Sequence, residues 1–227
     1  MTEADLLEAW PLGGGEPLPR FERFFGAMAA RGAGDGIPGW AEQSLGACNR
    51  QLARLHQQVV GRPVEAVVTC ACGENLEVVL PREAVAAAPE PAAWVEISAP
   101  GPRQFRLPHL SELSLAGQPM ALAARCALDD GGTVPEAFLD ALDTAWAEAD
   151  PAAEIQLELD CPACGETVMA HADLALFVAH DLDLTVQGLM AEIHALASAY
   201  GWTEAEVLAV PAARRRAYGA LIAGSSG

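Results

Sequence analysis

Lysine is absent from this chain. All 13 of its basic residues are arginine, set against 31 Asp and Glu, for a formal net charge of −18. A field of that sign repels phosphate backbones and disfavours sequence-independent nucleic-acid binding. It also keeps the chain off anionic membranes. Long uncharged runs are missing too. The longest, residues 113–124, spans 12 residues and contains Gly, Gln and Pro, too little for a membrane span. The opening Met1-Thr2-Glu3-Ala4-Asp5 is acidic and lacks the positive region of a secretory signal. The expectation is a soluble, cytoplasmic protein with no membrane insertion. No nucleophile elbow, Ser-His-Asp order or glycine-rich phosphate loop occurs, so no enzyme is expected. Gly (21) and Pro (16) together fall short of a low-complexity composition, which excludes collagen-like and wholly disordered chains.

What is present alternates between helical and strand-like patterning. Phe21, Phe24, Phe25 and Met28 recur at i, i+3, i+4 and i+7, and Leu45, Cys48, Leu52, Leu55 and Val59 form a second one-faced stripe. Glycine and proline fill the loop at 32–39 between them. Residues 64–80 change to period two around Cys70-Ala71-Cys72-Gly73, a hairpin whose turn carries cysteines. The Pro/Ala-rich stretch 81–91 reads as loop or linker. A small hairpin follows, Trp94 to Ile97 and Arg103 to Leu107, turning at Ala99-Pro100-Gly101-Pro102. Residues 109–150 return to helix, with Thr133 as a cap, Pro135 in the first position and Glu136 closing a capping box. Residues 154–172 mirror the first cysteine hairpin around Cys161-Pro162-Ala163-Cys164-Gly165-Glu166. The remainder is helical: a stripe from Val186 to Tyr200, a Thr203/Glu206 capping box, and a last helix begun by Pro211. The fold class is α+β, mostly helical, with two cysteine-bearing β-hairpins joined in a split zinc ribbon and one small extra hairpin. Three parts are expected: a poorly defined helical and loop segment at 1–40, a split-ribbon core at 41–182 holding the inserted hairpin and helices, and a helical segment at 183–227.

Six cysteines permit disulfides, core thiols, a redox pair or a metal site. Cys70 and Cys72 sit in one strand–turn–strand and Cys161 and Cys164 in another, each pair followed by Gly-Glu. Such knuckles aim backbone amides at sulfur, and the glycine permits the positive φ of the turn. Two knuckles facing each other form a closed tetrahedral site, which suits structural Zn2+ and leaves no open catalytic position. The first knuckle is one residue shorter than the usual Cys-x-x-Cys. The 88 residues between Cys72 and Cys161 are no obstacle, because loop-closure entropy grows only logarithmically. A thioredoxin-like reading needs a helix after the first cysteine, and a disulfide reading conflicts with the compartment. The expected metal ligands are therefore Cys70, Cys72, Cys161 and Cys164.

Other polar residues carry less. Cys48 and Cys126 read as small buried hydrophobes on apolar helical faces. His171 could substitute for a first-knuckle cysteine but reads rather as a strand-surface residue, and His194 as a helix boundary residue. Glu74, Asp160 and Glu166 are acids of the kind an acidic chain places together by chance. Arg214-Arg215-Arg216, the one basic cluster, is too small for a nucleic-acid footprint; it could cap its own helix or dock on an acidic partner.

Several blocks are similar to one family. They are Val64-Glu65-Ala66-Val67-Val68-Thr69-Cys70-Ala71-Cys72-Gly73-Glu74, Phe105-Arg106-Leu107-Pro108 and Cys161-Pro162-Ala163-Cys164-Gly165, then Met190-Ala191-Glu192-Ile193-His194-Ala195-Leu196-Ala197, Tyr200-Gly201-Trp202-Thr203-Glu204-Ala205-Glu206 and Arg214-Arg215-Arg216-Ala217-Tyr218. The order resembles the zinc-ribbon-bearing relatives of the T-even bacteriophage baseplate protein family, found in phage tails and contractile injection clusters. The resemblance implies a non-enzymatic structural or assembly component of a baseplate hub, with hub, spike or other tail proteins as partners and a place in a phage tail-like particle. The alternative is a zinc-ribbon regulatory or nucleic-acid adaptor, which the excess of acids disfavours.

Overall fold

Most elements begin and end where the local chemistry of the sequence dictates. The computed structural model describes residues 1–32, 37, 39–98, 101–129 and 133–224. Parts of the expected loop at 32–39 and turn at 99–102 lie outside these residues. In chain order the helices and strands are α1 (Glu3–Ala9), α2 (Pro17–Ala30), α3 (Leu45–Val59), β1 (Glu65–Thr69), β2 (Asn75–Val79), α4 (Arg82–Ala87), β3 (Trp94–Ile97) and β4 (Arg103–Arg106). They continue with α5 (Pro119–Cys126), α6 (Leu139–Ala149), β5 (Gln156–Asp160), β6 (Thr167–His171), α7 (Leu174–Tyr200), α8 (Glu204–Ala209) and α9 (Ala212–Gly224). Short 3-10 turns lie at Trp40–Glu42, Leu110–Leu115 and Glu136–Phe138. The α+β class holds. The chain divides into one unit of Met1–Pro38 with Ala179–Gly227 and another of Gly39–Val178. The two terminal segments, separate in the sequence reading, form a single unit.

In the terminal unit, Thr2 opens α1 with a capping box: its hydroxyl accepts from the Asp5 amide at 3.1 Å, and the Asp5 carboxylate accepts from the Thr2 amide at 2.8 Å. The α2 stripe is buried as its spacing requires, with Phe21, Phe24 and Met28 fully enclosed. Trp10 packs at 5.2 Å from Phe21 and 5.7 Å from Phe24. Its Nε1 donates to Asp183 of α7 at 2.8 Å, and Arg20 donates to the other carboxylate oxygen at 2.9 Å. The Arg214-Arg215-Arg216 run is not a free basic cluster. Arg215 is buried, donating to Glu192 at 2.8 Å, to Glu3 at 2.7 Å and to the Val210 carbonyl at the end of α8 at 2.9 Å. By length and composition α7 is long and apolar enough to cross a membrane. The count of uncharged runs does not register this, because Asp181, Asp183 and Glu192 interrupt the helix; Arg20 and Arg215 engage the latter two.

In the Gly39–Val178 unit, the Ser44 hydroxyl caps α3 by accepting from the Ala47 amide at 3.2 Å. The stripe Cys48, Leu52 and Leu55 is buried. The stretch at 81–91 is not simply a linker, since it contains α4. Its alanines favour helix, and Arg82 anchors it from inside, donating to the Arg62 carbonyl at 2.7 Å and meeting His56 Nδ1 at 3.0 Å. The small hairpin β3–β4 forms as expected, with Trp94 opposite Arg106 and Val95 opposite Phe105. It builds its own core with Ile97, Phe105, Ala123, Val134, Phe138 and Leu142. The insertion between the cysteine hairpins is thus folded. Thr133 is not a helix cap. Pro135 is extended and opens the 3-10 turn, and α6 begins only at Leu139. Burial of Val134 and Phe138 in that core fixes the later start.

Glu112 ties the insertion together. It accepts from Arg106 at 2.8 and 2.6 Å, from the His109 amide at 2.9 Å and from Arg125 at 3.3 Å. The Arg106 guanidinium foremost, against the cost of burial, holds the Glu112 carboxyl down to about 2. A depressed carboxylate contributes stability that is complete above its unfolded value and fades as pH falls through its folded one. Glu112→Gln is therefore expected to cost about 2–3 kcal/mol at pH 7 in chemical denaturation. The gap to the parent should narrow between about pH 4.5 and pH 2; a gap independent of pH contradicts the ion-pair origin.

Candidate metal centre

The two cysteine hairpins are separate antiparallel ladders. Thr69 faces Asn75 at the end of β1–β2, and Asp160 faces Thr167 at the end of β5–β6. Those end pairs occupy equivalent positions, and each carries a clip. Thr69 Oγ1 donates to Asn75 Oδ1 and Thr167 Oγ1 donates to Asp160 Oδ1, both at 3.0 Å. The clips were not legible from composition, where Asp160 is only one acid among many. Their signal is positional: a threonine and a short carbonyl-bearing side chain flanking each cysteine turn.

Beyond the clips the chain reverses. In the first turn the Cys70 amide donates to the Glu74 carbonyl at 2.8 Å and the Gly73 amide to the Cys70 carbonyl at 2.9 Å. In the second the Cys161 amide donates to the Glu166 carbonyl at 2.9 Å and the Gly165 amide to the Cys161 carbonyl at 2.8 Å. The second turn is one residue longer, as Cys-x-x-Cys against Cys-x-Cys requires. Gly73 (φ 93°) and Gly165 (φ 76°) both adopt the left-handed conformation expected of them.

The four expected ligands come together. Cys70, Cys72, Cys161 and Cys164 place their sulfurs all within 4.8 Å of one another. Cys70 Sγ is 3.7 Å from Cys164 Sγ, and Cys72 Sγ is 3.6 Å from Cys161 Sγ. A disulfide would need about 2.05 Å, and all four cysteines are free. A tetrahedral ion with zinc-like metal–sulfur bonds of roughly 2.3 Å sets its sulfurs ~3.8 Å apart. The Cys70–Cys164 and Cys72–Cys161 spacings match that requirement. Each hairpin contributes one buried thiol, Cys70 and Cys161, and one exposed thiol, Cys72 and Cys164. The buried pair packs with Leu76, Val68, Leu159 and Val168. The hairpins therefore meet through sulfur and a small apolar floor, without backbone pairing between them.

The electrostatics of the cluster favour a cation. Amides of Cys164 and Ala163, with neighbouring thiols, hold Cys161 down to about 7. The Glu74 amide pulls Cys72 the same way, but crowding by Cys70, Cys161 and Cys164 outweighs it and pushes Cys72 up to about 12. Cys164 is also raised: the Glu166 amide lowers it, and Cys161 and the remaining crowding overcome that pull. One thiolate forms readily and makes the next one costly, unless a cation replaces the protons. The set can hold a metal ion with four thiolates and no open position.

The remaining sequence candidates stay outside this shell. His171 lies at the far end of β6, 2.8 Å from Glu154, with both side chains exposed. Cys48 and Cys126 are buried, as expected, and burial pushes their thiols up to about 12 and about 11. Cys126 is less bland than the sequence suggests, since its sulfur lies 3.6 Å from Arg106 and 3.9 Å from Glu112. Comparison with protein-family models, with curated proteins and with solved structures finds no match to this chain. The candidate centre is accordingly defined by its own geometry as a closed four-thiol cluster between two hairpins.

Cys164→Ser removes one ligand and leaves three thiols crowded without full compensation. The expected outcome is loss of stoichiometric metal and of hairpin docking, with a lower thermal midpoint, while most far-UV helical signal persists because the helices have their own cores. Metal binding in small structural modules is worth on the order of 10 kcal/mol, so an unchanged midpoint contradicts a structural role.

Proposed function

We propose that this chain is a non-enzymatic structural or assembly component of a phage-like contractile tail or injection-system baseplate, with a structural Zn2+ clamping its two cysteine hairpins as a split zinc ribbon. The observation that carries the reading is the convergence of Cys70, Cys72, Cys161 and Cys164 across a folded insertion. A four-sulfur shell offers a metal no substrate position, which suits scaffolding better than catalysis. The resemblance of the cysteine, Tyr-Gly-Trp and Arg-Arg-Arg blocks to the baseplate family supplies the setting. The acidic surface suits a cytoplasmic chain that meets protein partners rather than nucleic acid, since −18 of net charge opposes a phosphate backbone.

Affinity isolation of the tagged chain from its native host is expected to bring down hub, spike or other baseplate proteins, and deletion of the chain is expected to block particle assembly. Normal particles after deletion contradict the proposal. A salt-sensitive mobility shift with DNA or RNA would favour the adaptor reading instead.

A further inference from the structure

A cavity of about 400 Å³ opens within the Gly39–Val178 unit, bounded by the Leu110–Leu115 turn, α6 and the segment 150–154. Its volume lies in the range of ligand-binding clefts, roughly 300–1,000 Å³. The depth is apolar: Leu107 is buried, and Leu113, Leu122 and the indole of Trp146 complete the wall. Trp146 Nε1 donates to the Arg106 carbonyl at 3.1 Å, which fixes the ring in place.

The polar lining is almost entirely acidic, with Glu112, Asp143, Asp150 and Glu154 and no arginine. Glu112 is engaged by Arg106 and Arg125. Asp150 is 4% exposed and accepts from the Gly46 amide at 2.9 Å through Oδ2; its Oδ1 lies 3.7 Å from Arg50 and has no hydrogen-bond partner. Asp143 and Glu154 are exposed, and Glu154 meets the exposed His171. Among the described lining residues His109 is the one basic side chain; burial, then Arg106, lowers its basicity. An apolar slot with an indole wall and two exposed carboxylates disfavours anions. It favours a cation on an apolar stem, stabilised by the ring and by the acids.

We propose that this cavity receives an arginine or lysine side chain, flanked by an apolar residue, from a partner polypeptide. This deepens the assembly reading and rests on it for the partner being a protein. The stem lies along Leu107, Leu113 and Trp146, and the charge meets Asp143 and Glu154. Arginine is a frequent anchor at the centre of protein interfaces, and a chain of net charge −18 draws basic partners toward it.

The test titrates the zinc-loaded full chain with acetyl-Gly-Leu-Arg-Leu-Gly-amide, following the Trp146 indole signal by NMR. Three comparisons accompany it: the same peptide with neutral citrulline in place of arginine, free N-acetylargininamide, and the Asp143→Asn/Glu154→Gln double variant. The arginine peptide is expected to give saturable shifts at Trp146. The citrulline peptide should bind about tenfold more weakly and the double variant about fivefold more weakly, as lost charge pairs allow. The double variant should keep its zinc content and thermal midpoint, since neither residue supports the core. No saturable shift at Trp146, equal binding of the citrulline peptide, or an unaffected double variant overturns the proposal. Free argininamide binding as tightly as the peptide overturns the polypeptide partner. Assembly with baseplate proteins without peptide binding sinks this inference alone; peptide binding without such assembly sinks the baseplate reading alone.

Discussion

Four thiols within 4.8 Å of one another cannot all ionise at modest cost unless a cation sits among them. Ionising one sulfur raises the cost of the next, as the divergence of Cys161 and Cys72 to either side of an ordinary thiol expresses. Much of the surrounding architecture follows from that constraint. Each hairpin presents its sulfurs on a turn made possible by a left-handed glycine. Each is closed by a threonine clip at its last pair, and each keeps one thiol buried and one exposed. The apolar floor beneath is small, so a metal bound by the four sulfurs would be the stronger means of keeping the hairpins together.

The insertion between the hairpins solves a separate problem. Eighty-eight intervening residues cost little more in closure entropy than a shorter loop would, and they fold. The β3–β4 hairpin, α5 and α6 bury Phe105, Phe138 and Leu142 against one another, and Glu112 binds Arg106, Arg125 and the His109 amide across the same region. A structured insertion delivers Cys161 and Cys164 to the first hairpin with fewer conformations to lose. It also creates the acid-lined cavity beside Trp146.

The absence of lysine has a structural counterpart. Arg20, Arg50, Arg82 and Arg215 are all buried, and each reaches a backbone carbonyl as well as an acid: Pro11, Pro89, Arg62 and Val210 are the carbonyl partners. A planar guanidinium can serve both at once, whereas an ammonium offers a single point charge. In a chain so rich in carboxylates, these arginines also satisfy part-buried loop and helix-end carbonyls. The spacing of Phe21, Phe24, Phe25 and Met28, and that of the two cysteine pairs, were legible because each reports a local period or turn. The roles of Arg82 and Arg215 were not, since a side chain's partners across tens or hundreds of residues leave no periodic trace. For the same reason residues 81–91 read as loop or linker although they contain α4, Thr133 reads as a cap although Pro135 opens the 3-10 turn, and the two terminal segments read as separate although they form one unit. The four thiols that converge at the candidate centre are legible in the sequence; the clips that brace them and the cavity beside Trp146 are not.

The central claim is that one ion is held by sulfur alone, two ligands from each hairpin. X-ray absorption at the zinc edge of the purified full chain tests it directly. One zinc per chain with four sulfur neighbours at roughly 2.3 Å is the expected result. Nitrogen or oxygen in the shell, or protein purified in native form without stoichiometric metal, would contradict it.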